Sequence, residues 1–334
     1  MIRFSYLAPV ASGGPPGFAL AFGLAFALAV LLQTPGALAR PQESPDKPPP
    51  FALEIRHQPL TEKIPEDGPE ARGDRAWSQR ARGFARSGQI DPAPTDETIA
   101  AYEAALTADP DNLRIFAKLI EAVYFKGDYV ARARDDKKVL FERQVELAAR
   151  MVAVADRKAG VENPDTIDPE DRARLLRNVP GAIDAHLWAS IGWGMWGMTH
   201  PRVASLAKGV ANKIRDHGRM MRMIDERFDH GAALRLLGRF HSETPRVVLI
   251  TGYIDREQAL RMLREANHIS KDDPKNLVFL ADAILRHEPE STAEAVELLC
   301  EASRFTPDPG QLIEHTRMVD QARSLLAGLE TVCP

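Results

Sequence analysis

Three of the chain's four tryptophans fall in one stretch, AIDAHLWASIGWGMWGMTH, from Ala182 to His200. Trp188, Trp193 and Trp196 are interleaved there with Gly192, Gly194 and Gly197. A glycine inside a helix costs up to about 1 kcal/mol relative to alanine, so this spacing points to close approach by another helix or a ligand. Two readings follow. The rings line an apolar pocket whose indole N–H groups hydrogen-bond a bound molecule, or they pack a central helix against flat partners. A second candidate lies in DERFDHGAALRLLGRF, where Arg235 sits between Leu234 and Leu236. A buried guanidinium needs a partner, and its fork fits a carboxylate. That partner is an anionic ligand, or else Asp225, Glu226 or Asp229 of the same segment.

Other chemistries find no support. The histidines (His186, His200, His217, His230, His241 and His268 among them) are scattered, and no HExxH or CxxC spacing is present, which argues against a zinc site. There is no GxSxG and no glycine-rich phosphate loop, so neither a nucleophilic enzyme nor a nucleotide-binding one is indicated. The expectation is a protein that is not an enzyme, with no catalytic residues, no metal and no cofactor. Net charge is −4, which does not suggest a nucleic-acid partner. The two cysteines, Cys300 and Cys333, pair as a disulfide in an oxidising compartment; alternatively Cys300 is a core residue and Cys333 a loose end.

The elements that must position these residues read as helices throughout. A phrase recurs in YEAALTADPDN (Tyr102 to Asn112) and LCEASRFTPDP (Leu299 to Pro309), with Ala five residues before Pro in each. This is the end of the second helix of a tetratricopeptide (TPR) unit, a helical hairpin of roughly 34 residues. Phe116, Leu119, Ala122 and Val123 share one stripe, and Gly127-Asp128-Tyr129 is expected to form a tight turn with a left-handed glycine. A long second helix is expected from about Val130 to Lys158, and another from about Pro201 to Ile224. Further units begin at His230 and at NLVFLADAILRHE, with an insertion at Arg246 to Asp255. A last helix, about Gln311 to Leu329, is expected to cap the open end of the array. The fold class expected is all-α, a TPR-like α-solenoid of stacked helical hairpins with a C-terminal capping helix.

Arg3, an apolar run from Phe18 to Leu32 and Ala37-Leu38-Ala39 together read as a signal peptide over residues 1–39, the alternative being an uncleaved anchor. Residues 40–70 are rich in proline and charge and read as a disordered linker, leaving 71–330 as the helical domain. Removing 1–39, which contains one Arg and no acid, makes the net charge −5. Export to the periplasm is the expectation.

An exported TPR protein with a W-x-x-x-x-W-x-x-W-G helix followed by HG-x-x-x-R-x-LG-x-x-H-x-x-x-P resembles the T-component family of TRAP (tripartite ATP-independent periplasmic) transporters. The matching stretches are HLWASIGWGMWG, DHGAALRLLGRFHSETP, REQALRMLREAN and NLVFLADAIL, and the resemblance runs from about Ala100 to Leu326. It implies a periplasmic all-α protein that associates with the solute-binding P-component and assists uptake of a small solute, an organic acid or an apolar ligand. It also implies homo-oligomers with internal cavities. Trp188, Trp193, Trp196, Arg235 and Gly238 match the family pattern and become candidate ligand- or partner-binding residues. This chain departs from the pattern in lacking a lipidation cysteine, in the insertion RVVLITGYID, and in having Glu226-Arg227 before the HG stretch. The alternative is a general cell-envelope scaffold binding a peptide or protein in assembly or secretion.

Overall fold

The computed structural model describes residues 67–84, 88–248 and 250–333. The expected signal peptide, and the expected linker up to residue 66, lie outside the described residues. Among these there are thirteen α-helices and no β-strand.

The helices start where the sequence supplies caps. Asp91 accepts from Ala93 N at the start of α2 (Pro92–Ala108), and Asn112 accepts from Ile115 N at the start of α3 (Leu113–Phe125). Asp255 does the same for α10 (Arg256–Ile269), and Asp273 for α11 (Pro274–His287). Proline at the first position of α2 and α11 adds a preset φ where no N–H is needed. α1 (Pro69–Ser78) also begins with proline. It therefore takes in the last two residues of the segment expected to be linker, because buried Glu70 pairs with Arg114 at 2.8 Å and Lys118 at 2.9 Å on α3.

Neighbouring helices in the chain pack against one another as hairpins. α1 lies on α2, α3 on α4 (Arg134–Lys158), and α6 (Ala182–Thr199) between α4 and α8 (Val210–Ile224). α9 (Phe228–Glu243) pairs with α10, and α11 with α12 (Thr292–Ser303). α13 (Leu312–Gly328) lies on α12. Short α5 (Pro169–Leu176) and α7 (Arg202–Ala207) complete the set. The fold is an all-α, TPR-like array of stacked hairpins. One core joins α2 to α6, α8 and the start of α9, and a second joins α10 to α13.

Four expectations need correction. Gly127 is not left-handed: Lys126–Val130 is a π-helical turn. A Cβ on Gly127 would lie 2.6 Å from the Phe141 ring, so glycine is required by packing and not by backbone conformation. The long helix begins at Arg134 instead of Val130, after that turn and an extended Ala131. The helix expected over 201–224 is two, α7 and α8, broken at Gly209 with φ 63°. Finally, α13 does more than cap an open end. Glu314 pairs with Arg80 at 3.2 Å, and Arg317 pairs with Asp128 at 2.7 Å, so the last helix is fastened to the first hairpins.

Candidate functional site

Beside α13 lies a partly open cavity of about 780 Å³. α3 lays one face along it through Arg114, Ala117, Lys118, Glu121, Tyr124 and Phe125, the i, i+3, i+4, i+7 spacing of one helical stripe. α6 contributes Asp184, Leu187, Trp188 and Ile191, and α9 contributes Phe228, Asp229, Arg235 and Arg239. Trp77, Phe279 and Glu314 close the remaining sides. A second groove, about 740 Å³, runs along α12 beside Cys300 and draws on far fewer elements.

Most charge in the central cavity is compensated. Arg80 donates to Glu314 and to the carbonyl of Gly310, and its guanidinium lies 4.3 Å from the Trp77 ring centroid. Lys118 reaches Asp74 at 2.7 Å as well as Glu70. Arg239 pairs with Glu243 at 2.7 Å and covers the Phe279 ring at 4.0 Å. Arg317 covers the Tyr129 ring at 3.6 Å. Tyr124 donates to Asp128 at 3.0 Å, and burial pushes the hydroxyls of Tyr124 and Tyr129 well above the usual tyrosine range. Glu121 is the exception. It makes no hydrogen bond or ion pair with any described residue. Desolvation pushes its carboxyl up to about 7; Glu314, Asp184 and Asp229 add to the rise and Arg80 opposes it.

The residues singled out from sequence divide. Trp188 and Arg235 line the cavity. Trp188 is half-buried and lies 5.7 Å from Tyr124, ring to ring. Trp193 and Trp196 point elsewhere, into a cluster with Val210, Ile214 and Phe240. There Trp196 stacks on His200 at 3.6 Å and Lys213 sits 4.7 Å over Trp193. Gly192 has ordinary room, since a Cβ would lie 3.5 Å from Gln144. Gly238 marks a helix crossing: a Cβ there would lie 2.7 Å from Leu263 and 3.1 Å from the Ala259 carbonyl on α10.

Arg235 is buried and serves the fold. Its Nη2 donates to Asp229 Oδ2 at 2.9 Å, and its Nη1 to Asn276 Oδ1 at 3.0 Å. It also donates to the carbonyls of Asp229 and His230. Those two residues and Gly231 are left-handed, with φ of 43°, 59° and 79°. The guanidinium therefore clamps a strained turn. Cys300 and Cys333 are bonded to each other, Cα to Cα 5.5 Å, and Cys300 is also buried in the second core.

The sequence reading missed Glu121, Tyr124, Tyr129 and Phe228 as cavity residues. One signal was present: Arg114, Lys118 and Glu121 form a polar stripe on the otherwise apolar α3.

No family model matches the chain, and no curated protein matches it. Among solved structures, a crystal structure of yeast Tom70 aligns at 12% identity, covering 82% of this chain and 68% of that chain, with a TM-score of 0.24. The fold is accordingly stated from this chain's own helices.

Proposed function

We propose that this chain is a non-enzymatic, exported binding protein that docks the solute-binding P-component of a TRAP-type importer and holds a small solute in its central cavity. One observation carries the reading. The two stretches that most specifically resemble the T-component family, HLWASIGWGMWG on α6 and DHGAALRLLGRF on α9, both reach the same cavity, through Trp188 and Arg235. The cavity's size suits a small molecule, and its charged groups are mostly committed to one another instead of being grouped as nucleophile and base. Signal-peptide features in residues 1–39 support a periplasmic location.

The test is affinity capture with residues 40–334 from a periplasmic extract, followed by mass spectrometry. Recovery of a TRAP solute-binding protein supports the reading, and repeated recovery of other proteins in its place counts against it. A second reading, a general envelope scaffold, is favoured by one feature. Exposed Val203 and Leu206 on α7, with Val247, Val248 and Ile250 in the insertion, expose apolar area of the kind that marks contact with another protein. It predicts capture of assembly or secretion factors.

A further inference from the structure

Among the described residues lining the cavity, Glu121 says more about what it takes. The acids lining it are Glu121, Asp184, Asp229 and Glu314. Glu314 is neutralised by Arg80, and Asp229 by Arg235. The other cations that reach the wall are occupied: Arg114 and Lys118 by Glu70, Arg239 by Glu243, Lys275 by Asp273. Glu121 faces the space with no hydrogen bond or ion pair to a described residue, attracted only through space by Arg80, which Glu314 already holds. Glu121 is half-buried, so its carboxylate is offered to whatever occupies the cavity.

Most of the rings lining the cavity are taken. Trp77, Phe125, Tyr129 and Phe279 are each already faced by a guanidinium, from Arg80, Arg317 or Arg239. No cation of the described chain lies over Trp188. Trp188 stands one helical turn beyond Asp184 on α6, so the indole and a second carboxylate share a face. Leu187, Ile191 and Phe228 supply apolar wall beside them. An acid and an indole left open, in a cavity far larger than a methylammonium ion, match a molecule with a cationic head and an apolar body.

We propose that the central cavity binds an organic cation of this kind, a primary or quaternary ammonium carried on an apolar chain or ring, with its charged head at Glu121 against the face of Trp188. The proposal rests on the reading that the cavity holds a solute and names that solute's charge. It needs no partner protein. A cation compensates Glu121 where a second carboxylate would add to the repulsion from Asp184.

The test titrates purified residues 40–334 with three probes of matched chain length: hexyltrimethylammonium, 1-hexanol and hexanoate. Binding is read by calorimetry. The expected result is a cation at least tenfold tighter than either other probe. Glu121→Gln, nearly isosteric, is expected to erase that preference; Glu121→Asp should retain part of it. The charged and titratable groups that share the cavity with Glu121 are Arg80, Glu314, Asp184, Asp229, Arg235, Arg239, Lys275 and Tyr129, with Arg114, Lys118 and Tyr124 on its own helix, and none is a histidine. Cation affinity in the wild type should therefore rise from pH 5.5 to pH 8 as Glu121 ionises, and stay flat in Glu121→Gln.

Hexanoate binding as tightly as the cation would overturn the proposal while keeping a solute cavity. Cation binding unchanged in Glu121→Gln, or no binding of any probe at millimolar concentration, would overturn it too. None of these outcomes bears on capture of a transporter partner, so the two readings fail separately.

Discussion

Replacing Arg235 by methionine removes the clamp on the turn at Asp229, His230 and Gly231 while keeping most of the side chain's volume. The loss can be worked from its bonds. A fully buried ion pair broken on one side costs about 3–5 kcal/mol. Here the Asp229 side chain is 39% exposed and can be rehydrated, which lowers that figure. Against this, Asn276 Oδ1 loses its 3.0 Å donor in a fully buried site, at about 1–3 kcal/mol for an orphaned acceptor. The Asp229 carbonyl also loses its side-chain donor, while that of His230 keeps Asn276 Nδ2 at 3.0 Å. The expected loss is about 2–4 kcal/mol. Arg235→Lys keeps the charge but not the fork, so it can serve Asp229 or Asn276 but not both, and should cost about 1–2 kcal/mol. The assay is urea denaturation followed by tryptophan fluorescence, comparing midpoints at equal slope. A loss under about 1 kcal/mol for the methionine variant, or equal losses for both variants, would refute the clamp.

Three further outcomes are expected. Trp196→Ala, which deletes a buried indole stacked on His200, should cost about 3–5 kcal/mol. Half-buried Trp193→Ala should cost about 1–2 kcal/mol, and both are read from the same urea curves. His186 and His217 share an Nδ1–Nδ1 contact of 2.9 Å, and burial holds His186 well below the usual range and His217 at about 4. As pH falls from about 6.5 to 4 the unfolded chain takes up protons that the folded pair refuses, so stability drops across that window. His217→Gln should flatten the drop in midpoints measured at pH 7.5, 5.5 and 4.5. Cys300→Ser with Cys333→Ser opens a loop spanning 33 residues and should cost about 3–4 kcal/mol, with reductant having no further effect on the variant.

The hairpins were legible because their signals are local. The Ala-to-Pro phrases that close α2 and α12, and apolar stripes at helical spacing, each mark an element without reference to the rest of the chain. The face of α6 was not legible. That helix is apolar almost all round because α4 and α8 cover it on two sides, so its sequence cannot say that Trp188 faces a cavity while Trp196 faces core. Arg235's ion pair was within reach of sequence, since Asp229 lies six residues away. Asn276, 41 residues on, was not. Glu121 was visible only as a polar residue in a strong helix. Its meaning comes from α13, whose pairing with Arg80 spans 234 residues and left no mark on either segment.

That fastening also bears on how the chain reaches its folded state. In an open repeat array each unit touches only its neighbours, so folding can start anywhere, spread, and fray back from either end. Arg80 with Glu314, and Arg317 with Asp128, span 234 and 189 residues, and neither contact can form until the hairpins between have taken their curvature. Loop closure over such spans is paid late and released early. The terminal helices, which would be dispensable ends in an open array, instead hold each other, so shortening the chain at α13 should loosen α1 and the turn after α3 as much as it loosens α12.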